Sequence, residues 1–268
     1  MTAPTDSGYA PANGVEMYWE SRGDGGVPLI VTHGGFGQAS TFGALLDELA
    51  KRRRVIAIEL QGHGHTADIE RPFTFEAFGD DIAALIEALE LGRADLLGRS
   101  LGAGATLRAA IQHPDLIRSF SLLSFPCRRD GWLPDVLEGM SHVNSSLFEQ
   151  MSRSTLYADW LAVAPNPDPE IFRTLMDRTG ALLARPFDWS EEVAALPMPL
   201  LLVYGDADSI APAHVAEFFA LLGGGACDAG WDDARRPTQS QLAILPKANH
   251  YDIVEAPGLA GVLDRFFE

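Results

Sequence analysis

The chain has 268 residues, 47% of them hydrophobic, which is long enough to bury one sizeable α/β core without requiring a second domain. Its formal net charge of -17 at pH 7 repels phosphate backbones and anionic lipid, so neither nucleic acid nor a membrane is an expected partner. The opening residues 1–6 lack the basic and apolar regions of a secretory signal, and no apolar run reaches the ~20 residues that span a bilayer. A soluble, cytoplasmic protein is therefore expected.

Short apolar runs alternate with amphipathic stretches through the first half of the chain. Residues 29–32 and 55–58 are predicted to be buried strands, and apolar residues recur at helical spacing after each of them. The alternation continues with residues 95–97 as a strand, 101–112 as a helix and 120–123 as a strand. Buried strands that alternate with helices indicate a mostly parallel sheet flanked by helices on both faces.

A segment of different character follows. Residues 127–190 carry helical patterns around 132–151 and 171–183, with a turn-rich stretch between them. We expect a helical cap inserted into a core that is formed by residues 1–126 and 191–268. The core resumes with predicted strands at residues 200–204 and 242–245 and with a final amphipathic helix. Cys127 and Cys227 lack the spacing of a disulfide framework or a metal site and are expected to be free thiols.

The most informative motif is Gly-Arg-Ser-Leu-Gly at residues 98–102, between a predicted strand and a predicted helix. A sharp turn there lifts the hydroxyl of Ser100 above the sheet, and it needs small residues two positions away on each side, which Gly98 and Gly102 provide. The helix aims its first amides at the site, so the Leu101 N–H is a candidate oxyanion donor. The context predicts Ser100 as a nucleophile.

A second glycine-rich turn follows the strand at residues 29–32, with the sequence His-Gly-Gly-Phe-Gly at 33–37. Such a turn presents backbone N–H groups to a carbonyl oxygen. The Gly35 N–H is the predicted second oxyanion donor and the Phe36 N–H is the next candidate, whereas His33 is expected to brace the loop.

Acids and a histidine follow the later strands. Asp206 and Asp208 come just after the strand at residues 200–204, and one of them should orient a general base. His250 lies after the strand at residues 242–245, where such a base would stand. Asn249 precedes it at a position where glycine is usual. Asparagine tolerates left-handed backbone conformations better than most residues, so we expect the loop to form.

Five segments in chain order resemble the successive signatures of the α/β-hydrolase superfamily: residues 33–36, 62–64, 98–102, 205–208 and 249–250. The resemblance implies the α/β-hydrolase fold with a helical cap, and a Ser-His-Asp hydrolase that uses neither cofactor nor metal. It favours Asp208 over Asp206, because the family turn has its acid in this position before Ser-Ile-Ala-Pro. Within the superfamily the chain is similar to compact bacterial esterases and lactonases, enol-lactonases among them.

The predicted function is cleavage of a small-molecule carboxylic ester or lactone through an acyl-enzyme by Ser100, His250 and Asp208. Hydrolysis of carbon-carbon bonds or thioesters, lyase chemistry and cofactor-free perhydrolysis remain as alternatives, as does a ligand receptor without turnover. A metal site at His63 and His65 is disfavoured because the rest of a ligand set is missing. The sequence does not predict the oligomeric state.

Four residues are candidate substrate contacts. Arg99 either binds a carboxylate-bearing substrate or pairs with a neighbouring acid. Phe36, Trp132 and Trp160 either line a cavity above the sheet or, for the two tryptophans, belong to the small core of the insertion itself.

Overall fold

A computed structural model describes residues 3–268 of the chain, and Met1 and Thr2, which begin the opening segment analysed above, lie outside the described residues. The strands are β1 (Asp6–Ala12), β2 (Val15–Arg22), β3 (Leu29–Thr32), β4 (Val55–Ile58), β5 (Ala94–Arg99), β6 (Ile117–Leu123), β7 (Leu200–Ala207) and β8 (Gln241–Asn249). The helices are α1 (Ala44–Leu49), α2 (Phe75–Ala88), α3 (Leu101–Gln112), α4 (Pro134–Ser141), α5 (Phe148–Met151), α6 (Thr155–Val163), α7 (Pro169–Ala184), α8 (Ser190–Ala194), α9 (Pro212–Leu221) and α10 (Leu259–Phe267).

Within residues 3–268 these strands form one eight-stranded sheet in the order β1-β2-β4-β3-β5-β6-β7-β8. The six strands from β4 to β8 along this order pair in parallel, and β1 and β2 are antiparallel. The apolar runs β3 and β4 are buried along their whole length, as strands covered on both faces must be. The predicted α/β class and mostly parallel sheet are confirmed.

The antiparallel hairpin at the amino-terminal end was not predicted from the sequence. Asn13 and Gly14 join β1 to β2 with φ of 50° and 86°, the left-handed pair that a tight two-residue hairpin requires. β1 alternates between exposed and buried residues because it is an edge strand with one solvated face.

Helices cover both faces of the sheet. One apolar cluster joins one face to α2, α3 and α9, and it continues into residues of the segment 127–190. The other cluster joins the opposite face to α1 and α10. Since the central strands are parallel, their carboxyl ends meet at one edge, and the loops after β3, β5, β7 and β8 gather there.

Residues 127–190 contain α4, α5, α6 and α7. The predicted helical stretch around 132–151 is divided, because α4 ends at Ser141 and the side chain of Asn144 accepts a hydrogen bond from the Ser146 amide, which begins a new turn. The boundaries of a separate cap stay a prediction. At these boundaries the chain segments lie side by side, with the Trp189 N–H donating to the Cys127 carbonyl at 3.0 Å.

Candidate active site

Ser100 occupies the sharp turn between β5 and α3, with φ 52° and ψ -121°. This backbone conformation is uncommon for a residue with a side chain and is held by its surroundings. The Ser100 amide donates to the Leu123 carbonyl at 2.9 Å. A β-carbon at Gly102 would collide with the carbonyl oxygens of Thr32 and His33, so only glycine lets α3 approach β3 this closely.

The structure brings together the three side chains that the sequence singled out. The Ser100 Oγ lies 3.0 Å from Nε2 of His250, and Nδ1 of His250 lies 3.4 Å from Oδ1 of Asp208. The imidazole therefore has its Nδ1 proton directed to the carboxylate and its Nε2 lone pair directed to the hydroxyl. Asp206, the alternative acid, lies exposed at the end of β7.

Asp208 is held by more partners than the sequence indicated. Its Oδ2 accepts hydrogen bonds from the Ser124 hydroxyl at 2.6 Å and from the Gly205 amide at 3.0 Å. Burial by itself raises the pKa of a carboxyl group, but the hydrogen bonds from His250, Ser124 and Gly205 outweigh it, and the pKa of Asp208 lies below its ordinary value. The carboxylate is thus ionised and fixed in orientation.

Sequence analysis missed Ser124, although a usable signal was present. Ser124 directly follows β6, the neighbour of β7 in the sheet, so its side chain comes to the same edge as Asp208. Its φ of 58° marks a second strained turn at this edge.

Gly35 and Leu101, the residues of the two predicted oxyanion donors, lie close to each other, and the role of their amides stays a prediction. A β-carbon built at Gly35 would stand 3.6 Å from Cδ1 of Leu101. Leu101 is the first residue of α3, so its amide has no acceptor within the helix and points out of the helix end. Phe36, the next candidate donor, has a φ of 59°, which turns the loop back at this point.

His33 braces this loop, as the sequence predicted. Its Nε2 lies 3.1 Å from the Leu60 amide, which donates to it, so Nδ1 carries the proton that is donated to the Gly34 carbonyl at 2.7 Å. The His33 ring lies 4.9 Å from the ring of His63, centroid to centroid. Burial, and then the neighbouring His63, lowers the pKa of His33 to about 3, and burial lowers the pKa of His63 to about 4.

These two imidazoles should make the fold sensitive to acid. The unfolded chain protonates each below about pH 6.5, whereas the folded chain keeps both neutral, so the free energy of unfolding should fall by up to about 1.4 kcal/mol per pH unit per imidazole down to about pH 4. Urea unfolding at about pH 7, 6 and 5 measures this slope. His65 should have the opposite effect on the free energy of unfolding. The hydrogen bond to Glu59 raises the pKa of His65, so its protonation favours the folded chain.

Two variants separate the buried imidazoles from other titrating groups. The change His63→Gln should make the pH dependence of the unfolding free energy shallower, because it removes one of the neutral buried rings. The matched change His142→Gln alters an exposed histidine and should leave the slope as it is. Equal slopes in all three proteins would contradict the assignment.

Arg99 lies beside Ser100 but reaches to the loop of His250. Its Nη2 donates to the carbonyl oxygens of His250 and Tyr251, each at 3.1 Å. The predicted pairing with a neighbouring acid is therefore replaced by hydrogen bonds to two carbonyl groups. Burial lowers the pKa of the guanidinium and the nearby charge of Asp208 opposes this. Arg99 ties the turn of Ser100 to the loop of His250.

Asn249 shapes the same loop through hydrogen bonds to Asp252. The loop forms without a left-handed Asn249: the φ of Asn249 lies outside the left-handed region, and Lys247, two residues earlier, has a φ of 59°. The Asn249 amide donates to Oδ1 of Asp252 at 2.7 Å, and the Asn249 side chain donates to Oδ2 at the same distance. These bonds close the turn after β8 and hold His250 in place.

The aromatic candidates lie in two places. The Trp132 ring is 5.4 Å from the His250 ring, edge to face, and the tryptophan is 4% exposed. Phe36 packs at 6.0 Å from Phe172 of α7, and Trp160 packs at 5.1 Å from the same ring. Trp160 also lines a cavity of about 460 Å³ between the loop 62–70 and helices α6 and α7. Contact of these residues with substrate stays a prediction.

Among residues 3–268, no group of three or more His, Cys, Asp and Glu side chains is arranged to hold a metal ion. In the same part of the chain, no helix combines the length and apolar composition that a bilayer span requires.

The chain was compared with known proteins. A family model described as the Alpha/beta hydrolase family matches residues 29–260. The 2-(acetamidomethylene)succinate hydrolase of Mesorhizobium japonicum is 34% identical over 137 residues, which is 51% of this chain and 49% of that protein, so the alignment spans about half of that relative. The pimeloyl-[acyl-carrier protein] methyl ester esterase of Pectobacterium carotovorum is 26% identical over 90% of this chain and 94% of that protein.

Solved structures show the same architecture. An esterase from Thermogutta terrifontis superposes with a TM-score of 0.71 at 22% identity, covering 98% of each chain. The enol-lactonase from Burkholderia xenovorans superposes with a TM-score of 0.68 at 22% identity, covering 96% of this chain and 98% of that one. At such identities the likeness establishes the fold alone.

Proposed function

The chain belongs to the alpha/beta hydrolase family, and on this premise we propose that it is a serine hydrolase that cleaves carboxylic esters or lactones through an acyl-enzyme. The observation that carries the proposal is the 3.0 Å contact of Ser100 Oγ with His250 Nε2 at a strained turn before α3. A nucleophile within hydrogen-bonding reach of a base that is itself oriented by an acid is the arrangement that acyl transfer needs.

In the proposed reaction Ser100 Oγ attacks the ester carbonyl carbon while His250 Nε2 takes the hydroxyl proton. The carbonyl oxygen becomes an oxyanion that accepts hydrogen bonds from the Gly35 and Leu101 amides. His250 then gives the proton to the leaving alkoxide oxygen as the carbon-oxygen bond breaks, which leaves the acyl group on Ser100. A water molecule that is deprotonated by His250 hydrolyses this ester and restores the serine.

Asp208 supports each of these proton transfers. Its carboxylate, with a lowered pKa, stays ionised and offsets the positive charge that His250 gains when it takes the proton. Ester bonds are favoured because the methyl ester esterase, which is similar over 90% of this chain, is named for cleaving an ester, and a lactone is a cyclic ester open to the same acyl transfer.

The test uses two readouts on the intact protein. Hydrolysis of p-nitrophenyl acetate and butyrate and of simple lactones should be measurable, and a fluorophosphonate probe should label Ser100, as located by peptide mass spectrometry. Absence of both labelling and turnover would favour a ligand receptor over an enzyme. A screen over acyl chain length and lactone ring size then separates ester from lactone preference.

Arg99 provides a separate prediction about this site. The change Arg99→Met removes two hydrogen bonds that position the His250 loop, and kcat/KM should fall by about 10- to 100-fold because small displacements of a general base are costly. The loss should be equal for neutral esters and for esters that carry a carboxylate, since Nη2 of the guanidinium donates to two carbonyl groups of the protein and Nε is buried. Both substrate types are assayed at one pH.

A matched variant controls for the loss of an arginine as such. Arg153 is exposed between α5 and α6, and Arg153→Met should leave both rates unchanged. A larger loss for carboxylate-bearing esters in Arg99→Met would instead assign Arg99 to substrate binding.

A further inference from the structure

The hydrogen bonds of the His250 side chain hold its imidazole only loosely. Nδ1 of His250 lies 3.4 Å from Oδ1 of Asp208, which is longer than the ~2.9 Å usual for an N–H···O bond. The contact of Nε2 with the Ser100 hydroxyl is shorter, at 3.0 Å, but it has to break when the serine gives up its proton. Packing around the ring therefore has to contribute to its orientation.

Two aromatic rings contact this imidazole, and they differ in burial. The Trp132 ring and the Tyr251 ring each lie 5.4 Å from the His250 ring, centroid to centroid, and both pack edge to face. Tyr251 is 78% exposed, so its side chain keeps much of its rotational freedom and restrains the imidazole little. Trp132 is buried, and it is the ring that can hold the base.

The main chain of Trp132 is fixed to the loop of the acid. Residues 131–133 pair antiparallel with residues 209–211, through N–H···O bonds of 3.0 and 2.9 Å. The second of these segments begins directly after Asp208. One short segment at the start of residues 127–190 is therefore bonded to the loop of Asp208 and contacts the ring of His250.

The indole of Trp132 is also supported from within the core. It packs edge to face on the ring of Phe125 at 6.0 Å, and the Phe125 carbonyl accepts a hydrogen bond from the Tyr204 hydroxyl at 2.8 Å. The side chains of Asp208 and His250 are only 2% and 11% exposed beside it. Removal of the indole would leave space next to this pair, into which water could enter.

We propose that Trp132 is a positioning residue, whose indole keeps the His250 imidazole turned with Nδ1 toward Asp208 and shields that pair from water. The inference rests on the proposed function, because it assigns how the general base of that reaction is oriented. Trp132 acts through His250. If water pairs with Nδ1, the ring proton can move to Nε2, and this tautomer cannot accept the proton of Ser100.

The kinetic test replaces the indole by a smaller apolar side chain. In Trp132→Leu, kcat for p-nitrophenyl butyrate should fall by about 10- to 100-fold, because a displaced base is costly. KM should stay within about threefold, since His250 serves both acylation and deacylation and both steps slow together. Trp132→Phe keeps an aromatic ring and should retain kcat within about fivefold. The control Trp231→Leu removes an exposed tryptophan before β8 and should leave both constants unchanged.

A spectroscopic measurement separates this role from a purely structural one. Long-range ¹H–¹⁵N NMR of the ¹⁵N-histidine-labelled protein at about pH 8, where a free imidazole is neutral, reports which ring nitrogen carries the proton. The His250 signals are assigned by their loss in His250→Gln. The proton should lie on Nδ1 in the unmodified protein, in Trp132→Phe and in Trp231→Leu. In Trp132→Leu it should be shared between the two nitrogens.

Three results would overturn the inference. One is a proton that stays on Nδ1 of His250 in folded Trp132→Leu, whatever its rate. Another is an unchanged kcat in that variant. The third is a raised KM at unchanged kcat, which would make Trp132 a substrate contact instead. If Trp132→Leu does not fold, Trp132→Met is measured in the same way, because the flexible methionine side chain adapts to the space.

Failure of this inference is distinguishable from failure of the proposed function. The tautomer of His250 is measured without turnover, so it tests the role of Trp132 separately. Absence of hydrolysis together with absence of fluorophosphonate labelling at Ser100 in the unmodified protein would overturn the proposed function. Normal hydrolysis and labelling with an unchanged tautomer and kcat in Trp132→Leu would overturn the role of Trp132 alone.

Discussion

Replacement of Ser100 by alanine should lower kcat for p-nitrophenyl butyrate by about 10⁵-fold or more. Without the hydroxyl no acyl-enzyme forms, and the remaining acceleration comes from the oxyanion donors and from substrate binding. Alanine meets the same backbone strain as serine at φ 52°, so the melting temperature should change little and the loss should be one of chemistry. Initial rates and melting curves from one preparation measure both quantities.

A second substitution makes the Ser100 experiment sharper. If Ser100 and His250 act as one unit, the double variant Ser100→Ala/His250→Gln should be no slower than Ser100→Ala alone, because the groups are not additive. The matched control Ser141→Ala removes an exposed hydroxyl on α4 and should keep full activity. Near-native activity in Ser100→Ala would place the nucleophile elsewhere.

The central strands could be predicted because short, continuous apolar runs are typical of strands buried on both faces of a parallel sheet. Residues 29–32 and 55–58 are continuous apolar runs bounded by polar residues, and helix 101–112 follows a glycine-rich turn, so period and boundaries agree with the structure. The hairpin of β1 and β2 is half exposed and carries charged residues, which hides its alternation. Asn13-Gly14 was its one local signal.

Within the site, the sequence predicted only those residues that lie in a short motif. Chain order and strand ends pointed to Ser100, Asp208 and His250, each with a short motif around it. The partners of these residues depend instead on which elements the topology brings together. Ser124 contacts Asp208 because β6 and β7 are neighbours, and Thr179 reaches Gly35 because α7 folds back over the loop after β3. A single serine directly after a strand is a weak signal for such a contact, and a single threonine within an amphipathic helix is none.

The acid of the proposed triad can be assigned by two conservative changes. Asp208→Asn should lower kcat by about 10⁴-fold, because an amide neither offsets the imidazolium charge nor holds the tautomer with a proton on Nδ1. Asp206→Asn should leave kcat within about twofold, since this carboxylate is exposed at the end of β7 and screened by water. Both variants are assayed on p-nitrophenyl butyrate beside the unmodified protein.

The hydrogen-bond donors around Asp208 determine what a loss of activity in Asp208→Asn means. An asparagine oxygen can still accept from Ser124 or Gly205, so Asp208→Asn keeps part of the local bonding, and a fall in activity with a folded protein reports the lost charge. Ser124→Ala removes one donor but leaves the carboxylate, so its loss should be far smaller than that of Asp208→Asn. A large loss in Asp206→Asn with little loss in Asp208→Asn would transfer the role to Asp206. Because Asp206 is exposed, the loop after β7 would then have to rearrange before it could approach His250.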